Sequence, residues 1–471
     1  MSMGNDVPHD EGHMTDLEAL MWNLEKDPRL SSNVANISFL DRSIDFEHFT
    51  ATMERASLAF PRLRERVAPA FGRLAPPRWE VDPNFDISYH VRRISLGGRG
   101  SHREALDYAT SLYCAPLDRT RPLWEFVVID GLRNGRSAMV QRLHHTVTDG
   151  EGGLNLSLEF IDFSRHPKQR TPVTADSGPH ETKDFLGSVL DSVSHLGRRQ
   201  LGVARRNLES AAHLAVHPTE IIEAGQQATH LTKSLIGQAS VSPHPLSPIW
   251  TERSLSRHFE TISIPFDTAK RAARRLGGTL NDLFVTGATH AASAYHSEFG
   301  SPTDSLRMAM PISHRSNKGL GGNLFAPIQV VVPSAPMPIG ERFVAIHQLL
   351  GTAKSDPAVT AASAVAGVVN WLPTSVLTRT GFRFASTIDF VTSNLKAAPF
   401  EVFISGAKME SNFPMGPLAG SAFNITTISY NGSFGMGVVI DTSAIAHPEV
   451  LIAELKSSYA QLLKSSSGAQ R

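Results

Sequence analysis

The chain has a single cysteine, Cys114, in 471 residues. One thiol excludes an intrachain disulfide framework and fits a reducing compartment. Its neighbours Tyr108, Ala109, Leu112 and Tyr113 make an apolar helical run, so a buried, inert thiol is expected rather than a nucleophile. Charge of one sign is lacking too. Lys plus Arg and Asp plus Glu number 45 each, so no global field favours nucleic acid or an acidic partner. No run of about eighteen uninterrupted apolar residues exists. The most apolar stretch, 361–377, carries Asn370, Pro373 and several hydroxyls and is too polar to span a bilayer. Residues 1–11 are polar and acidic with no apolar segment, so no secretory signal is expected. The expectation is a cytoplasmic chain, soluble or peripheral, long enough for two domains of roughly 150–250 residues each.

Several chemical signatures are missing as well. H-E-x-x-H and H-x-H spacings are absent, so a metal site is not expected. No G-x-G-x-x-G or phosphate loop follows a strand, which argues against a nucleotide-binding unit. No serine lies in G-x-S-x-G, which disfavours a hydrolase-type covalent acyl-enzyme.

What is present centres on His144-His145-Thr146-Val147-Thr148-Asp149-Gly150. The alternating run 138–143 before it reads as a half-buried strand. Gly150, Glu151, Gly152 and Gly153 follow, then an apolar-periodic run over 154–161. Strand, tight turn and helix are expected, with two imidazoles where the strand ends. Imidazole is suited to take a proton near neutral pH. A histidine at a strand end is more often a satisfied packing residue. Adjacent strand residues face opposite ways, so one ring facing a cavity with its neighbour packed behind fits better than a shared metal. Asp149 could orient the ring or anchor the loop through a basic partner. Gly150 lets the backbone turn where a Cβ would clash.

Around this stretch the pattern alternates helices and strands. Residues 16–25 read as an amphipathic helix, 34–40 as a strand, and Asp45 as the cap of a helix carrying Phe46, Phe49 and Met53. Strands are expected at 79–81 and 87–96, and Ser101 with Glu104 is a capping box. Residues 124–129 and 138–143 flank Asn134-Gly135, a hairpin signal. In the second half a strand at 258–264 precedes a helix capped by Asp267 or Thr268. Thr279 with Asp282 opens another helix. Strands follow at 306–312 and 328–332, then a hairpin about Asn431-Gly432 and a closing helix over 448–463. This argues an α/β or α+β sandwich in three parts: an N-terminal lobe (1–165), a linker with an amphipathic helical segment (166–250) and a C-terminal lobe (251–471). In the linker, Leu186, Val189, Val193, Leu196 and Leu201 form a stripe beside Arg198, Arg199, Arg205 and Arg206. It reads as a helix bridging the lobes, or as a basic amphipathic surface for anionic lipid.

The heptapeptide matches the HHxxxDG signature of the coenzyme A-dependent acyltransferase superfamily. Other segments resemble one branch, the bacterial-type wax ester synthase/diacylglycerol acyltransferases. Pro122-Leu123-Trp124 resembles its PLW motif, Asn281-Asp282 its ND motif, and Pro311 to Arg315 followed by Gly322-Asn323 its PxSxR and GN region. Ser393-Asn394 and Ser429-Tyr430-Asn431-Gly432 resemble its SN and SYxG patterns, and Asp16, Leu20 and Glu25 fit its opening helix. The matches run in order from about residue 16 to 460. Two stretches depart from the pattern: 184–240 is long, and 29–33 lacks apolar character.

The resemblance implies a two-lobed, chloramphenicol acetyltransferase-like fold, each lobe a mixed, largely antiparallel sheet with helices. It implies transfer of a long-chain acyl group from acyl-coenzyme A to a fatty alcohol or diacylglycerol. Acyl-coenzyme A is then a substrate, no cofactor is expected, and contact with a membrane or lipid droplet would be peripheral. It makes His145 the general base and His144 a structural neighbour. Asp149 would pair with an arginine and fix the loop, with Arg315 as partner or else Arg257. Oxyanion donors would be backbone N–H groups after Asp149 or Asn281; for Asn281 and Asp282 helix capping is the competing role, and for Trp124 packing. A superfamily transferase acting on another alcohol or amine, such as a polyketide or sugar, and a non-catalytic lipid-binding relative remain alternatives.

Overall fold

The computed structural model describes residues 12–69, 75–148, 150–167, 244–313, 325–353, 370 and 372–465. Asp149, His314, Arg315, Gly322, Asn323 and the basic stretch 184–240 lie outside the described residues. In the first half, described elements run α1 (Asp16–Leu24), β1 (Asn33–Leu40), α2 (Phe46–Ala59), β2 (Glu65–Ala68), β3 (Arg78–Val81), α3 (Ile87–His90), β4 (Val91–Ser95), α4 (His102–Cys114), β5 (Trp124–Asp130), β6 (Ser137–His144) and α5 (Gly150–Ser157). The second half continues with β7 (Arg257–Pro265), α6 (Phe266–Arg275), α7 (Leu280–Glu298), β8 (Ser305–Ser313), β9 (Phe325–Pro333), α8 (Ile339–Ala353), α9 (Thr374–Ala385), β10 (Phe390–Lys396), β11 (Phe403–Ile404), β12 (Ala407–Met415), β13 (Phe423–Tyr430), β14 (Ser433–Asp441) and α10 (Pro448–Ser465).

Two six-stranded mixed sheets with helices make two lobes. The first has the order β11-β12-β1-β6-β5-β4 and the second β7-β14-β13-β10-β8-β9; β2 and β3 form a small separate ribbon. Both hairpins turn where Asn-Gly stands: Asn431 and Gly432 form a two-residue turn, both at positive φ, whereas Asn134 and Gly135, also at positive φ, lie in a six-residue loop (131–136) that contains a 3-10 turn. Three helix starts carry complete capping boxes, at Thr15, Ser101 and Thr279. Alternation decides the faces of the first sheet. Leu40, Met139 and Leu143 pack with Phe49 of α2 and Leu156 of α5, while Ile37, Phe39 and Val140 pack with Ala105 and Ala109 of α4 on the other side. In the second lobe α6, α7, α8 and α10 cover one sheet face. Among the described residues no helix is long and apolar enough to cross a membrane.

Some local expectations change. The stretch 87–96 is a helical turn and then a strand: Asp86 accepts from Ser88 N at 2.9 Å and caps α3, so that only Val91 onward pairs with β5. Helix α6 starts two or three residues earlier than expected, after Pro265, with Asp267 in its first turn rather than at the cap. Helix α5 likewise begins at Gly150, ahead of the apolar run, and ends at Ser157. Cys114 ends α4 on the surface, so its thiol is exposed rather than buried.

The lobes also exchange chain. Strands β11 and β12 come from the second half but extend the first sheet, with β12 paired antiparallel to β1 from Ala35↔Met415 to Leu40↔Met409. On β14, Gly435 and Gly437 let that strand press against β12: a Cβ there would run into the carbonyls of Asn412 and Pro414.

Candidate active site

Strand β6 delivers the histidine pair. It lies between β1 and β5, and His144 N donates to Leu123 O at 2.9 Å, one residue before the start of β5. Beyond His144 the chain leaves the ladder. His145 N donates to Ser32 O at 3.0 Å, and Val147 N returns to His144 O at 2.9 Å, closing a turn that leads into α5. Gly150 opens that helix.

The two rings have different surroundings. His144 is fully buried, against the edge of the Trp22 indole. Its Nδ1 accepts from the Thr146 backbone N–H at 3.2 Å and lies 2.7 Å from Thr146 Oγ1. Nδ1 is therefore unprotonated, and the ring proton sits on Nε2. Nε2 is 2.8 Å from Glu25 Oε2, a short approach although off the line of a good hydrogen bond. Glu25 also accepts from Ser31 Oγ at 2.7 Å, and Ser31 Oγ in turn accepts from Asn33 N at 3.2 Å. Burial alone would raise the Glu25 carboxyl, but His144, Ser31 and Arg119 outweigh it and hold the group below its ordinary value. Arg119 lies over the Trp22 ring at 3.4 Å and donates to Trp22 O at 2.8 Å. Glu25 thus joins the entry of β1 to the exit of β6, and His145 follows directly on that junction, partly exposed.

The other sequence-marked residues sit as follows. Trp124 is fully buried, its Nε1 donates to Leu63 O at 2.7 Å, and its ring stacks on His90 at 4.5 Å. Asn281 lies in the first turn of α7 and accepts from Asn394 Nδ2 at 3.3 Å, joining the ND and SN segments. Asp282, 2% exposed, accepts from Thr279 N at 2.8 Å and lies 2.7 Å from His347 Nδ1. Arg257 is paired with Asp441 at 3.1 Å, both side chains buried. Tyr430 donates to Met409 O at 2.9 Å and accepts from Val402 N at 3.1 Å, bracing β13 against β12. Glu25, Ser31 and Arg119 had no assigned role at this junction from the sequence. The available signal was an acidic residue closing an opening helix that the motif pattern already marked.

Two family models match the chain: the wax ester synthase/diacylglycerol acyltransferase catalytic domain over residues 14–284 and the WS/DGAT C-terminal domain over 321–463. A Mycobacterium tuberculosis protein bearing the provisional name diacylglycerol O-acyltransferase is 29% identical over 99% of this chain and 95% of its own length. Another from the same species, named likewise, is 28% identical over 92% of this chain and 93% of its own. Among solved structures, the wax ester synthase/diacylglycerol acyltransferase from Marinobacter aquaeolei superposes with a TM-score of 0.64 at 19% identity, covering 97% of this chain and all of that one. The starter condensation domain of rhizomide synthetase superposes with a TM-score of 0.60 at 15% identity, covering 98% and 95%. The two-lobed architecture is therefore that of the condensation-domain and chloramphenicol acetyltransferase type, and the chain belongs to the wax ester synthase/diacylglycerol acyltransferase family.

Proposed function

We propose that the protein transfers a long-chain acyl group from acyl-coenzyme A to the hydroxyl of a fatty alcohol or diacylglycerol, with His145 as general base. The arrangement at the end of β6 carries this reading. His144 is turned inward and engaged by Thr146 and Glu25, while His145 is the partly exposed ring of the pair, on a backbone tied to Ser32. An alcohol attacks a thioester slowly unless its proton leaves as the bond forms, and a positioned histidine contributes ~10²–10⁴-fold in this way. In the proposed step the alcohol proton passes to the His145 imidazole, the C–O bond forms, and the oxyanion collapses with cleavage of the C–S bond. The coenzyme A thiolate takes the proton back. Backbone N–H groups after Asp149, or Asn281, are the proposed oxyanion donors, and Asp149 with Arg315 the proposed loop anchor. No acyl-enzyme forms.

Labelled palmitoyl-coenzyme A offered with hexadecanol, dioleoylglycerol, a polyketide alcohol and a sugar, with products separated by lipid chromatography, tests the acceptor class. Wax ester or triacylglycerol is expected. Product only with the polar acceptors would assign another transferase, and retained acyl lipid without product would indicate a binding protein. Water-insoluble acceptors imply peripheral contact with a membrane or droplet, for which the arginines at 198, 199, 205 and 206 are the proposed contacts. Neutralising them is expected to reduce flotation with anionic liposomes, and unchanged flotation would remove the electrostatic contribution.

A further inference from the structure

The sheet face shared by β1, β6 and β12 forms the floor of a cavity of about 330 Å³. That is the lower end of the ~300–1,000 Å³ typical of ligand pockets. Its mouth is apolar. Leu158, Phe163 and Phe400 line it and are 52%, 65% and 49% exposed, and the two phenylalanine rings meet edge to face at 5.6 Å. Large apolar side chains gathered at one opening differ from the scattered single ones of an ordinary surface.

The floor is polar. Asn36, Ser38 and Asn412 line it side by side. Asn36, 8% exposed, donates through Nδ2 to Asn412 Oδ1 and to Ser38 Oγ at 3.3 Å, and Ser38 Oγ donates to Asn412 Oδ1 at 3.1 Å. These bonds orient the Asn36 amide. Its Oδ1 is then left buried, with no hydrogen-bond partner. A buried acceptor without a donor is unfavourable, and a ligand that brings an O–H removes the penalty.

We propose that this cavity binds a neutral single-chain lipid with a hydroxyl head, the O–H donating to Asn36 Oδ1 and the chain leaving over Leu158, Phe163 and Phe400. An ionised fatty acid offers only acceptors: its carboxylate would be drawn to the exposed Lys396 and would leave Asn36 Oδ1 without a donor. An ammonium head would meet Lys396 and no carboxylate among the described lining residues. Gln141 is opposite Asn36 in register and three residues before His144, the last of β6, about 10 Å at the rise of a strand, and His145 lies beyond that end. The head at Asn36 is therefore not at the point of transfer, and the cavity is a holding site on the same sheet face. The ligand belongs to the acceptor class of the proposed reaction, so the inference rests on that reading. The test reads binding with no acyl donor present, so each can fail without the other.

Equilibrium dialysis of the full chain with labelled 1-dodecanol and with its methyl ether, which lacks the donor, decides the matter. The wild type is expected to bind the alcohol about tenfold more tightly than the ether. Asn36→Leu should level the two while still binding the ether, which also shows that the variant is folded. Ala398→Phe, whose added ring fills the cavity, should weaken both. Equal binding by the wild type, a preference kept in Asn36→Leu, or undiminished binding by Ala398→Phe would each overturn the proposal.

Discussion

Glu25 shows what one side chain does for the histidine pair. One oxygen closely approaches the histidine at the end of β6 and the other accepts from Ser31, just ahead of β1, so that removing the carboxylate leaves the serine without its acceptor and the buried ring without its charged neighbour. Hydrogen bonds to charged groups contribute about 1.5–3 kcal/mol, and a Glu25→Leu variant is expected to lose stability by that order in urea unfolding. Its turnover should fall as well, because the same contacts hold the turn that carries His145. The acid dependence has a definite sign. The Glu25 carboxyl lies below its ordinary value of 4.5 in the folded state, so its contribution is fully present above that pH and is lost as pH falls through the folded value. Urea midpoints should therefore decline more steeply below about pH 4.5 in the wild type than in Glu25→Gln, and equal slopes would contradict the assignment. The motif residues were legible by pattern, because spacing and turn chemistry are local. Glu25 and Asn36 were not given roles, because each takes its meaning from a partner more than a hundred residues away. Asn36 and Ser38 do interrupt the apolar run 34–40 at two-residue spacing, and that was a signal of a polar site on one face.

At the scale of elements, α7 carries two unusual positions. Gly287 stands in the middle of this nineteen-residue helix, where glycine ordinarily weakens a helix by about 1 kcal/mol relative to alanine. Here a Cβ would enter the ring of Tyr459 on α10, whose hydroxyl donates to Phe284 O at 3.0 Å. Gly287→Ala is therefore expected to destabilise, by about 1–3 kcal/mol, where propensity alone would favour it. A raised urea midpoint would contradict the packing argument. His290 sits farther along the same helix, its Nδ1 buried without a partner and its pKa pushed down to about 4 by burial and then by Arg342. In the unfolded chain it takes a proton near its ordinary value of 6.5. Between about 6.5 and 4 the unfolded state binds the extra proton, so stability falls as pH falls through that window. His290→Leu should flatten the difference between urea midpoints at pH 7 and pH 5. Helices with caps and strands with turns were readable because their signals lie within a few residues. The helical turn at Ile87–His90 was not, since Asp86 caps it inside a stretch of strand-like composition.

The molecule as a whole was legible as two lobes of strands and helices through motif order and alternation. The exchange of β11 and β12 into the first sheet was not, because register with β1 depends on a contact between the two halves that no local pattern encodes. Gly435 and Gly437 were ordinary strand glycines until β12 was found against them. That exchange matters for function, since it sets β12 beside β1 in the sheet whose next strand carries the histidine pair. The proposed chemistry depends on His145 at that place. Ester formation from labelled palmitoyl-coenzyme A and a long-chain alcohol, measured for the wild type and for His145→Ala alongside their circular dichroism, tests it most directly. A folded variant whose turnover has fallen by at least about 10²-fold is expected; a folded variant turning over at close to the wild-type rate would contradict His145 as the general base.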